Sequence, residues 1–285
     1  MTAPLVTCEG LVHIYKERDV EVVALQGLDL AVESGEVVAI VGRSGSGKTT
    51  LMNILAGAEA PTAGTAVVDG HELGAMGETE RDSYRRQVVG YVLQRSHANL
   101  AKDLNALDNV VLPMHEGTPE QRRQRARDLL AAMGIGSLAG RLPAQLSGGE
   151  AQRLAVAIAM ANDPKLLLAD EPTAELDELT ASQILSDLRS LLRARETAAV
   201  MVTHDRNVEK HANRVIQIRD GRTSTETRWR EAEQGLIADE VLILDRAGRL
   251  QLPKSFVEKL RMRGRVRAHI EGDEVRLKRV DEASE

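Results

Sequence analysis

The chain has 285 residues, with 37 Lys and Arg against 43 Asp and Glu and a net charge of −6. That length suits one large domain with an appendage, or two modest domains, and the mild acidity gives no general pull toward nucleic acid or acidic membranes. The single cysteine, Cys8, excludes an internal disulfide and a cysteine-rich metal site, and it fits a reducing cytosol.

The start, MTAPLVTCEG, has no basic stretch followed by an apolar one, so no signal peptide is expected. No apolar run approaches the roughly eighteen residues that span a bilayer. A soluble chain is expected, reaching a membrane only by docking to a partner.

Residues 5–14 and 24–32 read as β segments, the second alternating apolar and polar residues. Glu36 to Val41 is a short apolar run with the texture of a buried strand. It ends in a glycine-rich turn and a helix from Lys48 to about Ala56, with Gly57 as the stop. Residues 66–70 read as strand and turn. From about 79 to 149 the texture becomes helical, with periodic apolar positions such as Leu129, Leu130 and Met133. Residues 151–161 predict another helix, 165–169 a second buried strand, 178–195 a helix and 198–203 a third buried strand. Strands alternating with helices predict an α/β fold on a mainly parallel sheet. Residues 222–238 are polar without a clear period, which predicts a linker over 223–238. Residues 239–285 then read as a small separate module after a larger domain of 1–222.

The chemistry begins at Gly42-Arg43-Ser44-Gly45-Ser46-Gly47-Lys48-Thr49, which fits G-x-x-x-x-G-K-[ST] between a strand and a helix. Glycines let the backbone curl so that N–H groups point at phosphate oxygens, and the helix start adds partial positive charge. Lys48 is placed to neutralise the β and γ phosphates of ATP. Thr49 is placed to hold Mg²⁺, with Thr50 beside it. The strand at 165–169 delivers Asp170 and Glu171 at its C-terminal end, where ligands bind in open α/β sheets. Asp170 is expected at the metal, and Glu171 is expected to polarise the attacking water.

Leu146-Ser147-Gly148-Gly149-Glu150-Ala151-Gln152-Arg153 then resembles the LSGGQ-type signature of ABC ATPases. The resemblance covers residues 5 to about 222 and implies a mixed sheet core, an antiparallel β subdomain and a helical subdomain. It implies a homodimer in which Ser147, Gly148, Gly149 and Glu150 cover the γ-phosphate held by the other copy. It also implies that Tyr15 stacks on adenine, Gln94 links Mg²⁺ and water to the helical subdomain, Asp177 lies in a loop crossing the dimer seam, and His204 contacts the γ-phosphate. Within the group, residues 19–25 and 167–177 look most like lipoprotein-release and macrolide-export ATPases. That likeness implies a separate membrane permease as partner and a place on the inner face of the cell membrane.

Three features depart from the pattern. Ala151 replaces a frequent glutamine, the helix reads AVAIAMAN without the usual arginine, and RSHANLAKDL after Gln94 is unusually polar. The last of these puts the usual permease contact in doubt, not the ATP chemistry.

The tail reads as strand, glycine turn and strand over 241–252, a helix opened by Pro253, and a final hairpin turned at Gly272-Asp273. It resembles the swapped-hairpin fold of AbrB-type regulators, chiefly through Gly-Arg-Leu-Gln-Leu-Pro. So small a module buries little core alone. The favoured expectation is a clamp holding two ATPases together. The alternative is an ATP-gated regulator that binds DNA through Arg246, Arg249, Arg261, Arg263, Arg265 and Arg267. Acids return at Glu271, Asp273 and Glu274, which weighs against DNA.

Overall fold

The apolar runs ending at the predicted site become neighbouring strands of one sheet in the computed structural model, which describes residues 3–17, 20–94, 100–232, 235–262 and 264–279. β1 (Val6–Glu17) and β2 (Val20–Val32) pair antiparallel, and β4 (Ala63–Val68) and β5 (His71–Glu72) extend them into a four-stranded sheet. The main sheet has seven strands in the order β11, β10, β9, β3, β8, β7, β6. Five of these are β3 (Val37–Val41), β6 (Val89–Val92), β7 (Leu166–Asp170), β8 (Ala198–Val202) and β9 (Arg214–Arg219), and they run parallel. β10 (Arg222–Ala232) and β11 (Gly235–Leu242) add antiparallel at one edge.

The central strands read as unbroken apolar runs because both faces are covered. Val37 and Ala39 of β3 join a core built with the helical segment. Val38 and Ile40 join the opposite core, against the antiparallel sheet and α1 (Lys48–Leu55). Each fully buried aliphatic side chain of this kind contributes about 1.5–3 kcal/mol, so the C-terminal strand ends that carry the site rest on a rigid base.

The expected helical insert contains α2 (Glu78–Gln87), α3 (Ala106–Val111), α4 (Pro119–Ala132) and α5 (Gly148–Ala159), followed later by α6 (Glu178–Arg195) and α7 (Arg206–His211). It also contains β6, which pairs with β7 from Val89↔Leu166 to Val92↔Ala169. Four residues are too few for periodicity to separate a strand from a helix turn, so β6 does not stand out in a mostly helical pattern. Of the polar stretch after Gln94, residues 95–99 lie outside the described residues. The rest is anchored by buried Asn109, which donates to the carbonyls of Ala101, Leu104 and Asn105 and accepts from the Ala101 N–H.

The polar stretch read as a linker over 223–238 is a β-hairpin of the main sheet. β10 pairs with β9 on one side and with β11 on the other, from Thr225↔Leu242 to Ala232↔Gly235. Its polarity has a structural cause: β10 meets β9 through a buried ion-pair network at Arg214 and Glu226, beside the apolar Val215, Ile216 and Ile218 of β9. Arg214 bonds Glu36 through Nε and Glu226 through Nη1, and its Nη2 donates to the Ala31 carbonyl. Such a network is stable only while every partner remains.

The tail is correspondingly shorter than its sequence suggests. Its first expected strand is the end of β11. Residues 245–249 form a tight turn around Asp245, whose carboxylate accepts from Ala247 N–H, Arg249 N–H and Arg249 Nε and pairs with Arg222 at 3.0 Å. Arg246 pairs with Glu9 and Asp29, which pins this turn to the ATPase body. No second strand follows the turn. Beyond it come α8 (Lys254–Lys259) and a hairpin of β12 (Val266–Glu271) and β13 (Glu274–Arg279), which forms its own two-stranded sheet.

Candidate nucleotide site

The phosphate loop joins β3 to α1, and its glycines answer specific constraints. A Cβ at Gly42 would lie 2.3 Å from the Ile218 carbonyl oxygen. One at Gly47, where φ is +101°, would lie 2.6 Å from the Ala24 carbonyl oxygen. The loop is thus wedged between β9 and β2. Arg43, Ser44 and Gly45 are exposed, and Ser46 is buried beneath them. Lys48 is nearly buried, and its Nζ donates to the carbonyls of Gly42 at 2.7 Å and Arg43 at 3.0 Å. Burial lowers the pKa of this ammonium, while Glu171 and Asp170 oppose the shift. The loop therefore holds a desolvated cation ready to transfer to phosphate oxygens. Thr49 is exposed in the first turn of α1, and Thr50 is buried behind it.

β7 ends at Asp170, whose carboxyl is pushed up by burial against the pull of Lys48. Glu171 follows with φ +48°, a left-handed conformation that a non-glycine residue holds only under local constraint. Its N–H donates to the Val202 carbonyl at 2.9 Å, and its carboxylate accepts from the His204 N–H at 3.3 Å. His204 Nε2 lies 3.5 Å from the other carboxylate oxygen. Lys48, Asp170, Glu171 and His204 therefore converge from three adjacent strand ends. Gln94 joins them through a narrow cleft that it lines with Glu171, Pro172, Gly148 and Gln152.

The signature residues form a second centre. Ser147 caps α5 through a reciprocal capping box. Its N–H and Oγ both donate to Glu150 Oε2 at 2.8 Å, and Glu150 N–H donates back to Oγ at 3.4 Å. These bonds hold the Glu150 carboxyl below its usual range. Ser147 and Gly148 face outward, and no residue from 147 to 150 lines the cavity at this chain's phosphate loop. Asp177 likewise caps α6, accepting from Thr180 N–H at 3.0 Å on an exposed loop.

Tyr15 lies on β1 opposite Val22. It is half-exposed, on the same sheet face as the exposed side chains of Val20 and Val22. This apolar shelf suits a base, and the valines were not singled out in the sequence because edge-strand valines read as ordinary β residues. Glu59 was missed as well. It accepts from the Tyr15 hydroxyl across 44 positions, a contact that no local spacing encodes.

A glycine loop holding a desolvated lysine, with a carboxylate pair and a histidine at neighbouring strand ends, defines a P-loop nucleoside triphosphatase. The ABC transporter family matches residues 25–174. The lipoprotein-releasing system ATP-binding protein LolD of Chromohalobacter salexigens is 42% identical over 222 residues, covering 77% of this chain and 93% of the relative. The macrolide export ATP-binding/permease protein MacB of Rhodopseudomonas palustris is 43% identical over 223 residues, or 78% of this chain. The chain spans only 34% of that larger protein. The solved dimeric post-hydrolysis cassette MJ0796, bound to ADP and Pi, superposes with a TM-score of 0.71 at 36% identity, covering 78% of this chain and 98% of that one. The chain belongs to the ABC transporter ATP-binding family, close to the LolD and MacB-type nucleotide-binding subunits. It is an ATPase.

These matches cover about four fifths of the chain and do not support the AbrB resemblance of the tail. DNA binding by the tail is also unsupported. Arg246 and Arg249 are engaged with acids, and Arg263 lies outside the described residues.

Proposed function

We propose that two copies of this chain sandwich two ATP molecules and drive a membrane permease made as a separate chain. Each ATP lies between one copy's Gly42–Thr49 and the other copy's Ser147–Glu150. The observation that carries this reading is the exposed Ser147, which lines no cavity with the Gly42–Ser46 loop of its own chain, although its neighbour Gly148 reaches the cleft of Gln94 and Glu171. The signature helix presents its capped serine to solvent instead of to its own phosphate loop.

In this reading Lys48 leaves its two carbonyl acceptors and binds the β and γ phosphates. Glu171, fixed by its backbone and by His204, takes the proton of the attacking water. His204, still exposed on its solvent side, meets the γ-phosphate. Thr49, Asp170 and Gln94 offer a hydroxyl, a carboxylate and an amide oxygen. This sparse all-oxygen set suits a hard cation that keeps water and phosphate ligands, so it fits Mg²⁺. The cation would supply charge neutralisation of the β and γ phosphates. Tyr15 stacks on the adenine. Closure on ATP and reopening after hydrolysis would be transmitted through Gln94 to the helical segment and from there to the permease.

Among the described residues no helix is long and apolar enough to cross a membrane, which suits a subunit docked on the inner face of the cell membrane. The relatives named LolD and MacB support a permease of the lipoprotein-release or macrolide-export type. Purification of the full chain from solubilised membranes is expected to bring down a polytopic membrane protein in stoichiometric amount. Recovery of the chain alone, at native expression, would overturn the transport reading.

We also infer that 1–253 and the tail from 254 form separate units, with the tail pairing two copies. Val266, Ile270, Val275 and Leu277 of the hairpin are exposed, and Ile270 faces Val275 across the strands. A two-stranded hairpin is at best marginally stable alone. Removing residues 254–285 is expected to weaken dimerisation without nucleotide at least tenfold by sedimentation, while ATP binding stays intact. An unchanged dimer constant would rule the clamp out.

A further inference from the structure

Glu59 has no role in phosphate chemistry, yet its carboxylate joins side chains of β1 to one of α1. Its Oε2 accepts the Tyr15 hydroxyl at 2.7 Å and lies 3.3 Å from His13 Nε2. Its Oε1 accepts from Asn53 Nδ2 at 3.0 Å, and its own N–H donates to the Asn53 carbonyl at 3.3 Å. Asn53 belongs to α1, the helix that opens on the phosphate loop. His13 belongs to β1, and its ring meets the Tyr15 ring edge-on with centroids 4.6 Å apart. The Tyr15 hydroxyl also lies 3.3 Å from the Thr50 hydroxyl of α1. One carboxylate thus ties the half-exposed aromatic ring to the helix that grips the triphosphate.

Tyr15 needs that tie. It stands beyond the end of the β1–β4 pairing, half-exposed, and of the two polar contacts that join its hydroxyl to neighbouring side chains the Glu59 carboxylate, at 2.7 Å, is shorter than the Thr50 hydroxyl, at 3.3 Å. An aromatic platform stabilises a base only if its plane is set before binding, because ordering a free ring offsets part of the stacking gain. A base stacked on a wandering ring forfeits a share of its stacking. The distance from ring to phosphate loop must also match the span from adenine to triphosphate in one molecule.

We propose that Glu59 is a positioning residue for nucleotide binding: it holds Tyr15 at a fixed place relative to α1, so that base and phosphates are gripped together. This rests on Tyr15 being the base platform. Glu59 acts through Tyr15 and on binding, not on the chemical step.

The test compares Tyr15→Ala, Tyr15→Phe, Glu59→Ala and Glu59→Gln in the full chain, by steady-state ATPase kinetics and by inhibition with inorganic tripolyphosphate, which has no base. Tyr15→Ala is expected to raise the KM for ATP at least about tenfold. Tyr15→Phe and Glu59→Ala each remove the tether and should raise it about three- to tenfold, with kcat unchanged. Tyr15→Phe also loses the Thr50 contact and Glu59→Ala the Asn53 and His13 contacts, so their combination should fall clearly short of the product of the two single effects, the shared Tyr15–Glu59 bond being lost only once. Glu59→Gln keeps an acceptor oxygen for the hydroxyl and should restore most of the affinity. Tripolyphosphate inhibition should stay as in the parent throughout. If Tyr15→Ala leaves KM unchanged, the base platform lies elsewhere and the proposal falls with it. If Tyr15→Ala acts but Glu59→Ala and Tyr15→Phe do not, the positioning role alone is overturned. Weakened tripolyphosphate inhibition in Glu59→Ala would also overturn it, by showing a general loss of the α1 end.

Discussion

Glu171→Gln is expected to cut ATP turnover by about 10²- to 10⁴-fold, the range a positioned general base contributes, while ATP binding survives. The substitution is nearly isosteric. The left-handed backbone at this position is held by the N–H bond to Val202, and the His204 N–H bonds one side-chain oxygen. An amide preserves both shape and acceptor, so geometry is retained and basicity alone is lost. Lys48 keeps Asp170 as a neighbouring anion, so the phosphate grip persists. A copy that binds ATP and cannot hydrolyse it should collect in the closed pair. Phosphate release should fall to background while the ATP-loaded species runs at twice the mass in size exclusion. Turnover within threefold of the parent would remove Glu171 from the reaction.

The parts of this site that could be read from the sequence are those whose chemistry is local. Gly42 to Thr49 is one continuous loop, so its spacing carries the whole phosphate grip. The apolar runs of β7 and β8 show where a strand must end, and hence where Asp170, Glu171 and His204 emerge. The capping box of Ser147 and Glu150 is also local, three residues apart. The illegible parts depend on contacts between distant segments. Glu59 meets Tyr15 only because β1 folds across α1. The β10–β11 hairpin was hidden because its buried side rests on Arg214, Glu36 and Glu226, ion pairs that look like a solvated linker in one dimension. In the tail the expected glycine turn is present, gathered by Asp245 from donors on Arg222, Ala247 and Arg249, but the strand expected after it does not form. Pattern alone reports what a segment prefers, and the partner strand decides whether the preference is realised.

The two-chain site makes a sharper demand than any single substitution. Lys48→Ala removes the phosphate cation, and Ser147→Arg places bulk and charge on the outward serine. Each chain purified alone should be inactive. A pair of Lys48→Ala copies has no working phosphate loop, and a pair of Ser147→Arg copies has no working signature. In a mixed pair the two defects fall in the same site. The second site then joins an unaltered phosphate loop from one copy to an unaltered signature from the other. The symmetry of an isologous pair requires this outcome. With random mixing half the pairs are mixed and each keeps one of two sites, so turnover should recover to about a quarter of the parent if the sites act independently. Equal amounts of the two inactive chains, unfolded together and refolded or co-expressed, provide the measurement. Recovery to that level would show that no chain carries a complete site. Activity in the Ser147→Arg chain alone would place the signature serine outside the reaction, activity in the Lys48→Ala chain alone would do the same for Lys48, and a mixture with no activity would show that both sites must fire together.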